Sequence, residues 1–112
     1  MLAGFTPVVT GRIQIIIEGD LSSLLAADGA KVDARYGTGN SPNNGAALTG
    51  TVCGKVVQVT AVNAAANLIP FTLTCQVTGL TIGTHIWIEL GQYAVTASTA
   101  SVKNIAVSVM EI

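Results

Sequence analysis

The chain has 112 residues, half of them hydrophobic and 10% charged, with 5 basic residues against 6 acidic ones and a net charge of −1. One domain is all that this length holds, and five cations make no basic field for nucleic-acid phosphates. No apolar run approaches the roughly 20 residues that span a bilayer, and residues 1–7 lack the charged start and continuous apolar stretch of a secretory signal.

Soluble domains usually carry roughly 25% charged residues. A chain with so few cannot dress a whole free surface with charge, so it reads as a component that hides surface against other subunits. Val, Ile and Thr together make 36 of the 112 residues, and β-branched side chains suit pleated strands better than helices.

Residues 1–10 read as an extended N-terminal segment of the domain. In residues 12–18, Ile13, Ile15 and Ile17 fall on one face while Arg12, Gln14 and Glu18 fall on the other, which marks a strand with a core side. Ala30, Val32, Ala34 and Tyr36 then alternate with Lys31, Asp33 and Arg35, which places a row of opposite charges on an expected wet face. Residues 37–45 are nearly all turn formers and predict a long surface loop. Strand character returns at Val52 and runs through Val56, Val57 and Val59 to about Val62. Residues 64–67 read as a short connection, able to make one helical turn that alanine propensity alone does not hold.

Phe71, Leu73, Cys75 and Val77 alternate with Thr72, Thr74, Gln76 and Thr78 in the cleanest period-two pattern of the sequence. Gly79 and Gly83 then predict a tight turn. Residues 86–90 follow as a strand, with Ile86, Ile88 and Leu90 on one side and His85, Trp87 and Glu89 on the other. The last segment, 101–112, is apolar on both sides: Ile105, Val107 and Val109 face one way, and Ala106, Ser108, Met110 and Ile112 the other. Such a strand needs cover on both faces. Seven or eight strands at spacings of roughly 8–15 residues predict an all-β fold, an antiparallel β-sandwich of jelly-roll type, with residues 1–112 as one domain.

No catalytic constellation emerges. The single histidine, His85, is the only base for a serine or cysteine nucleophile, and the Gly37–x–Gly39 spacing is not that of a phosphate-binding loop. Glu18, Asp20, Asp28 and Asp33 serve glycoside hydrolysis only if the fold brings two of them within about 5–10 Å in a cleft. Asp20 and Asp28 lack the dense oxygen-ligand spacing of a calcium loop. Cys53, Cys75 and His85 do not complete a four-ligand zinc site. The two cysteines read as small buried residues, with a Cys53–Cys75 bridge open if their strands are neighbours. No catalytic residue, cofactor or metal is expected. His85, Trp87 and Glu89 share a strand side, which reads either as a tryptophan packed at an interface or as a small polar and aromatic surface able to stack on a sugar ring.

Two stretches, residues 28–39 with the trailing Pro42, Asn44–Gly45–Ala46 and Thr49–Gly50–Thr51, and residues 77–87, together with the ending 101–112, resemble small β-sandwich modules of tailed-phage structural proteins. Those modules occur in tail fibres, tailspikes, head fibres and capsid decorations. The resemblance implies a non-enzymatic virion component on the particle surface, assembled in the host cytoplasm and not inserted in membrane. It also implies a homo-oligomer, commonly a trimer, with the last strand near the threefold axis as in jelly rolls of the tumour-necrosis-factor type. Self-association through Ile105, Val107, Val109, Met110 and Ile112, alongside contacts to other virion proteins, is the leading expectation. The second is a receptor- or glycan-binding module at a fibre tip, using Tyr36, His85, Trp87, Tyr93 and the 37–45 loop. The turn 79–84 also looks like the corner before the sixth strand of fibronectin type III domains, with Ile82 in place of that family's proline and Ile86 in place of its corner tyrosine.

Overall fold

Alternation builds the first long strand as expected: Ile13, Ile15, Ile17 and Leu21 of β2 (Ile13–Ser23) all turn inward and are fully buried. Around it the computed structural model, which describes residues 2–112, arranges β1 (Ala3–Phe5), β3 (Ala30–Thr38), β4 (Thr51–Val59), β5 (Ile69–Val77), β6 (Ile86–Ala94) and β7 (Ala100–Glu111). One sheet has the order β1-β6-β3-β4 and the other β5-β2-β7, and every pairing is antiparallel. The fold is an all-β, two-sheet sandwich. Its strand orders are those left when the first strand of an eight-stranded jelly roll is taken away.

The core lies between the sheets. Ile13, Ile15 and Ile17 meet Val32 and Ala34 of β3, Leu73 and Cys75 of β5, and Ile86 and Ile88 of β6. Burying each such aliphatic side chain is worth about 1.5–3 kcal/mol, so this layer supplies the main driving force for the fold. The molecule is elongated, 46 × 24 × 19 Å, with the strands along its length.

Several elements depart from the reading of the sequence. The N-terminal segment is not merely extended, since Ala3–Phe5 pairs with Ile86–Ile88 at the edge of the first sheet. Residues 64–67 form a hydrogen-bonded turn, with the Asn67 N–H donating to the Ala64 carbonyl at 3.1 Å, and not a turn of helix. The 81–84 turn forms as expected, closed by the Thr84 N–H on the Thr81 carbonyl. β7 carries a bulge: its register against β2 shifts between Glu18 and Asp20, where Asn104 takes a φ of 54°.

The cysteines are not separate buried thiols. Cys53 of β4 and Cys75 of β5 form a disulfide with a Cα–Cα distance of 5.8 Å. Their strands are neighbours across the sandwich, in different sheets, and not along one ladder. The bridge therefore fastens one long side of the sandwich. On the other side, where β6 lies over β7, no such fastening exists among the described residues, and β7 is the edge of its sheet.

Candidate functional site

β6 was expected to present a face for recognition. Its odd-numbered residues do point outward from the sandwich, opposite Gly37, Arg35, Asp33 and Lys31 of β3. Trp87, however, is only 4% exposed. Its ring lies over Gly37 and under Gly50, where an added Cβ at either glycine would run into it, and Gly50 holds a φ of 82°. The indole N–H donates to the Thr38 carbonyl at 3.1 Å. Trp87 thus packs within its own subunit and offers no ring for a sugar.

The other three aromatic and polar candidates are scattered. Tyr36 sits on the inner side of β3 and packs against the core. His85 is exposed at the start of β6, its Nδ1 paired with the Thr6 hydroxyl at 3.1 Å. Tyr93 lies near the far end of the same strand, six residues and roughly 20 Å from Trp87 at an extended strand's rise. The four residues do not converge on one surface.

Tyr93 instead belongs to a polar cluster that overturns the expected wet face of β3. Asp33 is only 1% exposed. Arg35 grips it through two hydrogen bonds, Nε to Oδ1 at 3.0 Å and Nη2 to Oδ2 at 3.1 Å, and the Tyr93 hydroxyl donates to Oδ2. Lys31 caps the cluster over the Tyr93 ring, 5.3 Å from its centroid. The hydrogen bonds to Asp33 raise the Arg35 pKa, and burial first, then the contact with Asp33, raises that of Tyr93. Gly91, opposite Asp33, makes room for this carboxylate. Every charge here is answered by its neighbours, which makes the cluster a brace on the sheet rather than reactive chemistry.

Two more carboxylates are tied to backbone N–H groups. Asp28 accepts from Gly29 (2.8 Å), Thr96 (2.9 Å), Ala97 (3.2 Å) and Ser98 (2.7 Å). It thereby fixes the β6–β7 loop to the β2–β3 loop. Glu111 accepts from Val8 (3.1 Å), Val9 (2.9 Å), Thr10 (2.7 Å) and Gly11 (3.1 Å), pinning the turn before β2 to the end of β7. These donors favour the charged form and hold both pKa values at about 2. Asp20 meets the Asn104 amide at 2.7 Å. The acids are thus dispersed, and among the described residues no three His, Cys, Asp or Glu side chains gather as a metal site.

Exposed apolar side chains occur in the loops at Val8, Val9, Leu24, Leu25, Leu68 and Ile82, on β4 at Val52 and Val56, and along β7 with the groove beside it. Val107 and Val109 face inward and pack on their own subunit's core. Ile105 is 42% exposed, Met110 51% and Ile112 38%. Ile105 looks into a groove of about 490 Å³ between β6 and β7, shared with Leu2, Leu90, Gln92 and Leu48 of the β3–β4 loop. Met110 lies on the outer face, since neighbours along a strand alternate. The last strand is therefore sheltered on its inner side by its own subunit over Val107 and Val109 and left bare at Ile105, Met110 and Ile112. Compared with models of known protein families, with curated proteins and with solved structures, the chain gives no match in any of the three.

Proposed function

We propose that the protein is a non-enzymatic structural subunit of a phage virion that assembles with copies of itself, as a trimer, into a fibre or decoration on the particle surface. The observation that carries this reading is β7: a 12-residue edge strand with Ile105 exposed in a groove that opens beside it. Its outer stretch from Ile105 to Met110 holds neither proline nor charge, Lys103 and the bulge at Asn104 lying at one end of it, and an edge of that kind invites pairing with another chain. The sparse charge of the whole chain supports the same conclusion, because apolar surface that stays wet in a monomer is stabilised by burial between subunits. The tailed-phage resemblance of residues 28–39, 77–87 and 101–112 supplies the setting and the count of three.

The test is the mass of the purified chain in solution at micromolar concentration. A species of about 34 kDa, three chains of 11.4 kDa, is expected. A monomer that persists at these concentrations overturns the reading. Recognition of a host-surface glycan is the second function such a subunit would serve. It would use the exposed β3–β4 loop around Asn43 and Asn44, because Trp87 is buried. Loss of cell adsorption on replacing those two asparagines by alanine is the result that supports it.

A further inference from the structure

The sequence holds one Asn–Gly step, Asn44–Gly45, in the β3–β4 loop. An asparagine amide is most open to attack when glycine follows it. The side-chain carbon lies one five-membered ring away from the next backbone nitrogen, and glycine has no side chain to obstruct the closure. Every other asparagine precedes a bulkier residue: Ser41, Asn44, Ala64, Leu68 or Ile105. Two of these asparagines are also tied down, Asn67 donating to the Val62 carbonyl at 2.9 Å and Asn104 to the Asp20 carboxylate at 2.7 Å.

The fold does little to restrain Asn44 and Gly45. They are the central pair of a turn closed by one hydrogen bond, from the Ala46 N–H to the Asn43 carbonyl at 3.0 Å. Gly45 holds a φ of 82°, the conformation glycine supplies at the third position of a type II turn. A side chain added there would meet nothing within 4 Å, and residues 43–50 are all exposed. Among the described residues neither the Asn44 amide nor the Gly45 N–H makes a hydrogen bond. The peptide between them therefore swings its nitrogen over the Asn44 side-chain carbon by breaking a single exposed hydrogen bond. Asp28–Gly29, the related Asp–Gly step, is held against the same closure. Four N–H groups clamp the Asp28 carboxylate, and a Cβ at Gly29 would strike the Val59 carbonyl.

We propose that Asn44 is a self-modification site, converting in the folded protein to aspartate and isoaspartate through a cyclic imide with Gly45. The Gly45 nitrogen gives up its proton and bonds to Asn44 Cγ, the Cγ–Nδ2 bond breaks, and Nδ2 leaves with that proton as ammonia. Water then adds to either carbonyl of the imide. Opening between Cγ and the nitrogen gives aspartate. Opening at the original backbone carbonyl gives isoaspartate, whose main chain runs through Cβ and Cγ and is one carbon longer. One water enters and one ammonia leaves, with no oxidant or reductant. Residues 39–50 carry no charge, so the product brings this loop its first. The new carboxylate lies on the rim of the groove, in a cleft that Arg35 and Glu89 also line. Older copies of the chain thus come to differ from new ones in this loop. The inference goes beyond the assembly and recognition readings above and depends on neither.

The test is fragmentation mass spectrometry of the folded wild type after incubation in mildly alkaline buffer made with heavy-oxygen water. Asn44 should lose its amide ahead of Asn40, Asn43, Asn63, Asn67 and Asn104, with one heavy oxygen incorporated. Two products of equal mass, aspartate and isoaspartate, should separate by chromatography. Isoelectric focusing should show an acidic band that grows with time, and Asn44→Gln should suppress it, because closure by glutamine requires a six-membered ring. Aspartate without isoaspartate means direct hydrolysis and overturns the imide route. An Asn44 that keeps its amide in the folded chain and loses it in guanidinium chloride shows that the turn protects it, and overturns the proposal. Loss that begins at another asparagine, or an acidic band that persists in Asn44→Gln, overturns it as well.

Discussion

Asp28 and Glu111 each hold four backbone N–H groups, and this makes acid the weak direction of the fold. In the unfolded chain these carboxyls titrate at their ordinary values, 3.8 and 4.5, while in the folded chain they stay ionised down to about 2. As the pH falls, the unfolded state therefore binds protons first, and protonation pulls the equilibrium toward unfolding. Their stabilisation is complete above about pH 5 and is lost on the way down to about pH 2. Thermal unfolding followed by circular dichroism should give a level Tm from about pH 7 to 5 and a decline below, and the paired changes Asp28→Asn and Glu111→Gln should flatten that decline. At Trp87 the expectation concerns packing. Trp87→Ala should cost about 3–5 kcal/mol in urea unfolding, and an unchanged midpoint would contradict its burial. Gly91→Ala should also destabilise, because the new methyl meets the Asp33 carboxylate.

Among the elements, the strands with strict alternation were legible and those without it were not. β2 and β5 announced their inward faces through Ile13, Ile15 and Ile17 and through Phe71, Leu73, Cys75 and Val77, and these residues are buried. β1 has three residues and shows no period, so only its pairing with β6 reveals it. β6 runs past Leu90 into Gly91 and Gln92, where a glycine and a polar residue mask a strand that tertiary pairing with β3 maintains. Asp33 read as solvated because alternation places a side chain on a face but does not tell what lies over that face, here Arg35 and Tyr93. The sequence left the Cys53–Cys75 bridge open and could not decide it for a related reason: partners across a sandwich leave no trace in the period of either strand. Closing a loop over a sequence separation of 22 residues should contribute about 3 kcal/mol. Reduction should lower the unfolding free energy by that amount, measured in urea with and without a thiol reductant. At β7, an Asp at Val109 strikes the subunit's own core, whereas Ile105→Asp strikes the groove. Ile105→Asp should dissociate the oligomer and keep the fold, whereas Met110→Asp, on the outer face, should leave both the oligomer and the fold as they are.

For the whole molecule, scarcity of charge and the edge position of β7 support the same proposal. With 10% charged residues and the braced ones already satisfied within the subunit, the proposed assembly should owe little to ion pairs. Its mass by sedimentation should therefore hold constant from low salt to about 1 M, where the screening length falls to about 3 Å. Dissociation by salt would instead implicate charges at the seam. The Cys53–Cys75 bond has a mechanical consequence as well. It acts as the sewn spine of a book whose two covers are the sheets, so thermal breathing swings them apart about that spine and parts the pages farthest from it. Water would enter first at Leu90 and Ile105 and last beside Leu73. Neighbours clasping the fore-edge would then keep the volume shut, and a lone copy would be the form that opens.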